Sequence, residues 1–232
     1  MKRLFDIIVS LIIISISLPF ISIFVLLIFF EDFGNPIYFA KRVGKNFNLI
    51  TVYKLRSMKI SNKSNFLSTS DNDPRITRTG KLIRKYKIDE LVQFFNVLIG
   101  NISIVGPRPN VEKDVNKYSD LEKKILSIKP GITDFASIVF SDEGEILKHS
   151  NNPDDDYDKL IRPWKSRLAL IYVNNRSLYI DCILMFLTFY NLINRKKTLI
   201  YLNSILKWYT RNNELLNICL RNTELYEKEP PT

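Results

Sequence analysis

Asp89 and Glu90 are adjacent carboxylates with cations crowded on both sides. Arg84, Lys85 and Lys87 precede them, and Arg108 follows in the corner Gly106-Pro107-Arg108-Pro109. Carboxylates, flanking guanidiniums and a helix N-terminus are the parts needed to hold a metal–diphosphate and attack it. Two prolines fix φ on either side of Arg108, so backbone as well as packing holds that guanidinium. Paired acids at a helix start also serve as caps and dipole complements; the neighbouring cations favour the chemical reading.

Pattern supplies the elements that position these groups. Leu91, Phe94, Phe95, Leu98 and Ile99 recur at the spacing of one helical face, Gln93 and Asn96 fall off it, and Gly100 sits where a helix stops. Asp89 and Glu90 are thereby expected in the first turn. Consecutive helical residues point about 100° apart, so the pair shares one site only if Asp89 stands at the very end with non-helical backbone. Upstream, Ile37-Tyr38-Phe39 and Asn48 to Lys54 are β-prone runs around Gly44-Lys45-Asn46, a hairpin whose second strand carries Lys54 and Arg56 on one face. Gly80 to Tyr86 reads as a short helix, with Leu82, Ile83 and Tyr86 inward and Arg84 outward.

The run from Lys87 to Pro109 resembles the signature of the bacterial sugar transferases, the monotopic phosphoglycosyl transferases. Pro36-Ile-Tyr-Phe-Ala-Lys-Arg-Val-Gly44, Tyr53-Lys-Leu-Arg-Ser-Met58 and Asp73-Pro-Arg-Ile-Thr-Arg78 resemble further family motifs, as does Tyr172-Val-Asn-Asn-Arg-Ser-Leu-Tyr-Ile-Asp181. The resemblance covers residues 1 to about 195. It implies transfer of a sugar-1-phosphate from a UDP-sugar to polyprenol phosphate with release of UMP, through a covalent phosphosugar on Asp89, with Mg²⁺ as cofactor. Asp89 takes the attack and a metal contact; Glu90 takes metal positioning or acid–base help. Lys54, Arg56, Arg75, Arg84 and Arg108 are the candidate phosphate ligands, each with an alternative as a surface charge. Where the family usually reads P-G-I-T-G-W-A-Q-V-N-G-R-N, this chain has Pro130-Gly-Ile-Thr-Asp-Phe-Ala-Ser-Ile-Val-Phe-Ser-Asp-Glu-Gly144. The family's Gln, Asn and Arg are absent; Asp142 and Glu143 are either functional substitutes for them or solvated loop acids, and the second reading is favoured.

The N-terminus bears on location. After Lys2-Arg3, no charge occurs from Ile7 to Phe30, about 36 Å of helix, long enough to span a bilayer. Pro19 interrupts the run, and Ser15, Ser17 and Ser22 can satisfy backbone at a bend. A straight span would place a strongly basic domain outside, against the positive-inside tendency. The resemblance implies instead a re-entrant hairpin, broken at Ser17 and Pro19, on the cytoplasmic face of the bacterial inner membrane. The chain of 232 residues carries 34 Lys+Arg against 24 Asp+Glu, net +10, which favours an anionic partner such as lipid headgroups or a nucleotide. Two cysteines, Cys182 and Cys219, exclude a disulfide framework.

The fold expected is α+β and mostly helical: a membrane segment over residues 1–30, a compact catalytic domain over 31–195 with short strands and interfacial helices, and an amphipathic extension over 196–232. Lys59 to Asp73 reads as a polar loop, Ser119 to Ser127 as a surface helix, and Ile132 to Phe140 as a strand. Asp154 to Asp158 reads as an acidic helix start with a boundary at Pro163. Leu178 to Ile193 is short for a span and reads as an interfacial helix. His149, the sole histidine, is expected at the surface. Three rivals stand: a metal-dependent glycosyltransferase using Asp71 and Asp73 and releasing UDP, a non-enzymatic scaffold binding anionic lipid, and a nucleic-acid binder. The last has no recognition motif behind it, so no nucleic acid is expected among the partners. A homo-oligomer is left open.

Overall fold

The computed structural model of the chain describes residues 1–59 and 73–232. The Asp71-Asn72 half of the D-x-D candidate and nearly all of the expected loop lie outside the described residues.

Helix α1 (Lys2–Asp32) runs as one element with Pro19 inside it, rather than as two limbs separated by a turn. Proline removes only its own N–H, and the serines beside it bond back to the helix: Ser17 Oγ donates to Ile14 O at 3.5 Å and Ser22 Oγ to Leu18 O at 2.9 Å. This is the described helix long and apolar enough to cross a membrane. Both of its ends are nevertheless bonded to one folded body. At the start, Lys2 Nζ bonds Asp181 Oδ2 at 2.5 Å and Val105 O at 3.1 Å, Arg3 donates to Val97 O and Leu98 O, and Asp6 accepts from Ser103 Oγ at 2.8 Å. At the far end, Glu31 accepts from Arg78 N at 3.0 Å and Asp32 pairs with Arg56.

The expected hairpin is present, with β1 (Ile37–Val43) antiparallel to β2 (Leu49–Leu55) and Tyr38 opposite Lys54. Helix α2 (Arg78–Lys85) is capped by Thr77, whose Oγ1 accepts from Gly80 N at 2.9 Å. Helix α3 (Gln93–Ile99) ends at Gly100 in the left-handed conformation, φ 95°. Two residues expected off its apolar face are buried. Asn96 accepts from Tyr53 N at 2.8 Å and donates to Thr51 O at 2.7 Å, so its amide closes the outer edge of β2 as another strand would. Gln93 is buried beside it, while Ile99, expected inward, is exposed.

Strands β3 (Ser103–Val105) and β4 (Gly131–Thr133) pair in parallel. A Cβ on Gly131 would collide with the Gly106 amide, so glycine alone allows this approach. The strand expected over 132–140 lasts three residues. Asp134 then caps α6 (Phe135–Val139), with Oδ1 accepting from Ser137 N at 2.7 Å. Short helices α4 (Glu112–Val115) and α5 (Asp120–Lys123) lie between the two strands, and α7 (Glu143–Ile146) follows α6. Helix α8 (Pro153–Asp156) passes through a π-helical turn, Tyr157–Ile161, into α9 (Arg162–Asn175), with Pro163 at the boundary. Helices α10 (Leu178–Ile193), α11 (Arg195–Leu206) and α12 (Asn213–Leu220) complete the fold. The main core gathers Phe94, Ile102, Phe135, Trp164, Leu168 and Leu184 with Leu199, Leu202, Leu215 and Ile218 from beyond residue 195. Tyr179, Phe186, Phe189 and Ile193 on α10 are exposed, as is His149.

Candidate active site

Asp89 and Glu90 do not lie in the first turn of α3. They belong to a separate 3₁₀ turn, Ile88–Glu90, entered through Lys87 in the left-handed conformation (φ 54°). The helix dipole of α3, which starts later at Gln93, is therefore not what places them. The turn instead brings both carboxylates onto one cation: Lys54 Nζ lies 3.4 Å from Asp89 Oδ2 and 3.7 Å from Glu90 Oε1. Both side chains keep 14% of their surface open, enough for a ligand to reach them.

Arg108 completes the group, with Nη2 2.5 Å from Glu90 Oε1. Its corner is tied on both sides: Gly106 N donates to Thr133 O at 2.9 Å, and Gly131 N donates to Pro107 O at 3.0 Å. The parallel strand pair is thus what aims the guanidinium. Burial works to raise the pKa of Glu90, but Arg108, Lys54 and Lys87 outweigh it and hold the carboxyl well below the usual range. Glu90 in turn raises Arg108. A carboxylate so firmly ionised is a weak base at neutral pH, so Glu90 suits cation binding better than proton transfer. Lys87, the third cation, has its pKa lowered by burial, with Glu90 opposing.

Two acids beyond those chosen from sequence are ion-paired, and one of them feels the charges of the cluster. Glu143, read as a solvated acid, pairs with Lys165 of α9 and is held below the usual carboxylate range; burial opposes this, and Lys165, Arg108 and Lys87 prevail. Asp142 is likewise paired, with Arg195 and Arg221. Local pattern could not have found either pair, since the partners stand 22 or more residues away.

The remaining candidates lie elsewhere. Arg56 is buried and turned onto Asp32, tying the end of α1 to β2. Arg75 is bidentate on Asp73, with Nε 2.9 Å from Oδ1 and Nη2 2.6 Å from Oδ2. That bond lowers Asp73 further and leaves it ill-placed as a metal ligand. Arg84 makes no ion pair among the described residues; its Nη1 is 3.9 Å from Met58 Sδ and its charge acts on Asp73. No cluster of three or more His, Cys, Asp or Glu occurs among the described residues. A metal here would take Asp89 and Glu90 as its protein ligands. Two carboxylates with water and substrate phosphate are the donor set Mg²⁺ prefers, so the residues fit.

Residues 1–195 match the family described as bacterial sugar transferase. The chain belongs to the bacterial sugar transferase family. Among curated members, it is 34% identical over 206 residues to an undecaprenyl-phosphate galactose phosphotransferase of Salmonella typhimurium, covering 81% of this chain and 39% of that protein. A putative undecaprenyl-phosphate N-acetylgalactosaminyl 1-phosphate transferase of Bacillus subtilis is 49% identical over 120 residues, 51% of this chain and 67% of its own. An exopolysaccharide production protein of Rhizobium leguminosarum is 33% identical over 213 residues, 85% of this chain and 97% of its own. Several bacterial sugar transferases that it resembles are much longer, and the chain spans about 34–42% of their length.

Proposed function

We propose that this protein transfers a sugar-1-phosphate from a UDP-sugar to polyprenol phosphate, releasing UMP, as the first membrane step of surface glycan assembly. The observation that carries the reading is the convergence of Asp89 and Glu90 on Lys54, with Arg108 beside them. Such a site can hold a doubly charged diphosphate against a carboxylate.

In the first step an Asp89 carboxylate oxygen attacks the sugar-bearing phosphorus. The phosphoanhydride bond breaks, its electron pair leaves with UMP, and an acyl phosphate to the sugar remains on Asp89. In the second step a phosphate oxygen of the polyprenol phosphate attacks the same phosphorus. Asp89 is freed and a polyprenyl diphosphate sugar is formed. Arg108 and Lys54 bind and orient the phosphates, and Glu90, ionised throughout, keeps Arg108 in place. Mg²⁺, held by Asp89 and Glu90, would supply charge neutralisation of the diphosphate and of the departing phosphate.

The bonding of α1 supports a monotopic seat, entered and left from one side of the bilayer, and the net charge of +10 favours the cytoplasmic face. A helix spanning the bilayer would put Lys2 and Asp32 on opposite sides of about 30 Å of hydrocarbon. Here both ends bond to one body, while Leu11, Ile12, Ile16, Phe20 and Ile23 face outward between them. The test of the reaction is to incubate purified protein with a panel of UDP-sugars, Mg²⁺ and undecaprenyl phosphate and identify the nucleotide released. UMP is expected; UDP would point to simple glycosyl transfer, and no release would leave a lipid-binding scaffold.

A further inference from the structure

The peptide unit between Val105 and Gly106 opens the corner that carries Arg108, and it is held on both sides. Its N–H donates to Thr133 O of β4 at 2.9 Å. Its carbonyl, directed the opposite way in a trans peptide, accepts two hydrogen bonds from distant helices. One comes from Tyr172 Oη of α9 at 3.0 Å, the other from Lys2 Nζ of α1 at 3.1 Å. Both lone pairs of the oxygen are thereby used.

The two donors are themselves fixed by a third helix. Asp181 of α10, with a side chain 1% exposed, accepts from Tyr172 Oη on Oδ1 at 2.6 Å and from Lys2 Nζ on Oδ2 at 2.5 Å. One buried carboxylate thus aims both donors at one carbonyl. A turn further along α1, Asp6 accepts from Ser103 Oγ at 2.8 Å and from Ile104 N at 3.3 Å. Strand β3 is therefore bonded to the start of the membrane helix at each of its three residues. Apolar packing would join these helices at less desolvation cost than a buried charge network. What the network adds is direction, since it fixes the plane of a single peptide. Arg108 stands three residues beyond Val105, and Pro107 and Pro109 leave few torsions to absorb a tilt. Neither Tyr172 nor Asp181 has a part in the phosphoryl chemistry.

We propose that Lys2, Tyr172 and Asp181 are positioning residues for Arg108, so that the start of the membrane helix aims the phosphate clamp. This rests on the nucleotide-sugar reading given above, in which Arg108 binds the diphosphate. It gives the first turn of α1 a task besides anchorage, and it makes the seating of that helix a condition for a competent site.

UMP release and thermal melting of the full-length protein test the proposal as a double-mutant cycle. Tyr172→Phe removes the hydroxyl and keeps the ring, which packs edge-on against Phe135 at 6.4 Å between centroids. Alone, it is expected to lower kcat/KM about tenfold, because a misaimed guanidinium stabilises the transition state less well. In an Arg108→Gln background, with no guanidinium left to aim, the same change should cost less than about twofold. Its effect on Tm should be equal in both backgrounds. Lys2→Met is expected to show the same dependence on Arg108, with Lys2→Arg recovering most of the loss, and it carries the test should Tyr172→Phe fail to fold. Wild-type kcat/KM in Tyr172→Phe overturns the proposal. So does an equal loss with and without Arg108, which is what a purely structural role produces. Failure of the parent reading looks different: the wild type itself would release no UMP.

Discussion

Arg108→Gln removes the charge that faces Glu90 while keeping a polar side chain in the Gly106–Pro109 corner. At an effective dielectric near 20, opposite charges about 4 Å apart attract by roughly 4 kcal/mol. Arg108 is 35% exposed, so water screens part of this, and Lys54, 3.7 Å from the same Glu90 oxygen, retains part. About 1–2 kcal/mol of carboxylate stabilisation is then lost, equivalent to roughly one pH unit at Glu90. The sign follows from the depressed native value. Glu90 contributes stability above its unfolded pKa near 4.5 and loses it as pH falls through the lower native value. Removing Arg108 raises the native value, so the stability that Glu90 contributes at neutral pH shrinks, and less of it is lost as pH falls below about 4.5. Turnover falls because the diphosphate loses a donor: kcat/KM is expected to drop about 10²–10³-fold, with Arg108→Lys intermediate. The assays are UMP release from UDP-sugar and undecaprenyl phosphate at neutral pH, and chemical denaturation from about pH 7 down to about pH 3. A variant within about threefold of wild type in turnover, with the same fall in stability between neutral and acid pH as wild type, would refute the electrostatic reasoning.

Three further outcomes follow from the packing. Lys2→Ala strands Asp181, whose side chain is 1% exposed, with Tyr172 as its remaining partner; it should cost about 2 kcal/mol and lower Tm by about 4–8 °C in detergent, and an unchanged Tm would mean that the start of α1 is not held there. Asn96→Ala leaves Tyr53 N and Thr51 O unpaired and should cost about 2–3 kcal/mol in chemical denaturation, with faster amide exchange along β2. Burial pushes the Cys219 thiol up to about 12, whereas Cys182 is exposed; maleimide at neutral pH should modify Cys182 in the native protein and reach Cys219 only after unfolding, as peptide mapping would record.

What the sequence made legible is what local pattern encodes. The β1–β2 hairpin, the stop at Gly100 and the rigid corner around Arg108 follow from alternation, left-handed glycine and proline. The strand expected over 132–140 failed because Ile132, Phe135, Ile138 and Val139 are all buried. A segment buried on every side has no polar face to reveal its period, and the Asp134 cap decided for helix. Asn96 and Gln93 were read as facing out because a polar residue normally does; the unpaired edge of β2, far away in sequence, reversed that for Asn96. Lys54 and Arg56 leave β2 with the same parity, yet one meets Asp89 and the other Asp32. Only the distant end of α1 separates them. Glu143 read as a solvated acid for the same reason, since Lys165, 22 residues on, pairs with it only once the chain has folded.

The central claim is that Asp89 carries the sugar phosphate. It is tested most directly by mixing the protein with UDP-sugar and Mg²⁺ in the absence of lipid acceptor, then measuring the intact mass and mapping the modified peptide. The account predicts one equivalent of UMP, a mass increase equal to one phosphosugar located on Asp89 and discharged by undecaprenyl phosphate, and neither adduct nor turnover in Asp89→Asn. An Asp89→Asn protein that still releases UMP, or an adduct on another residue, would contradict it.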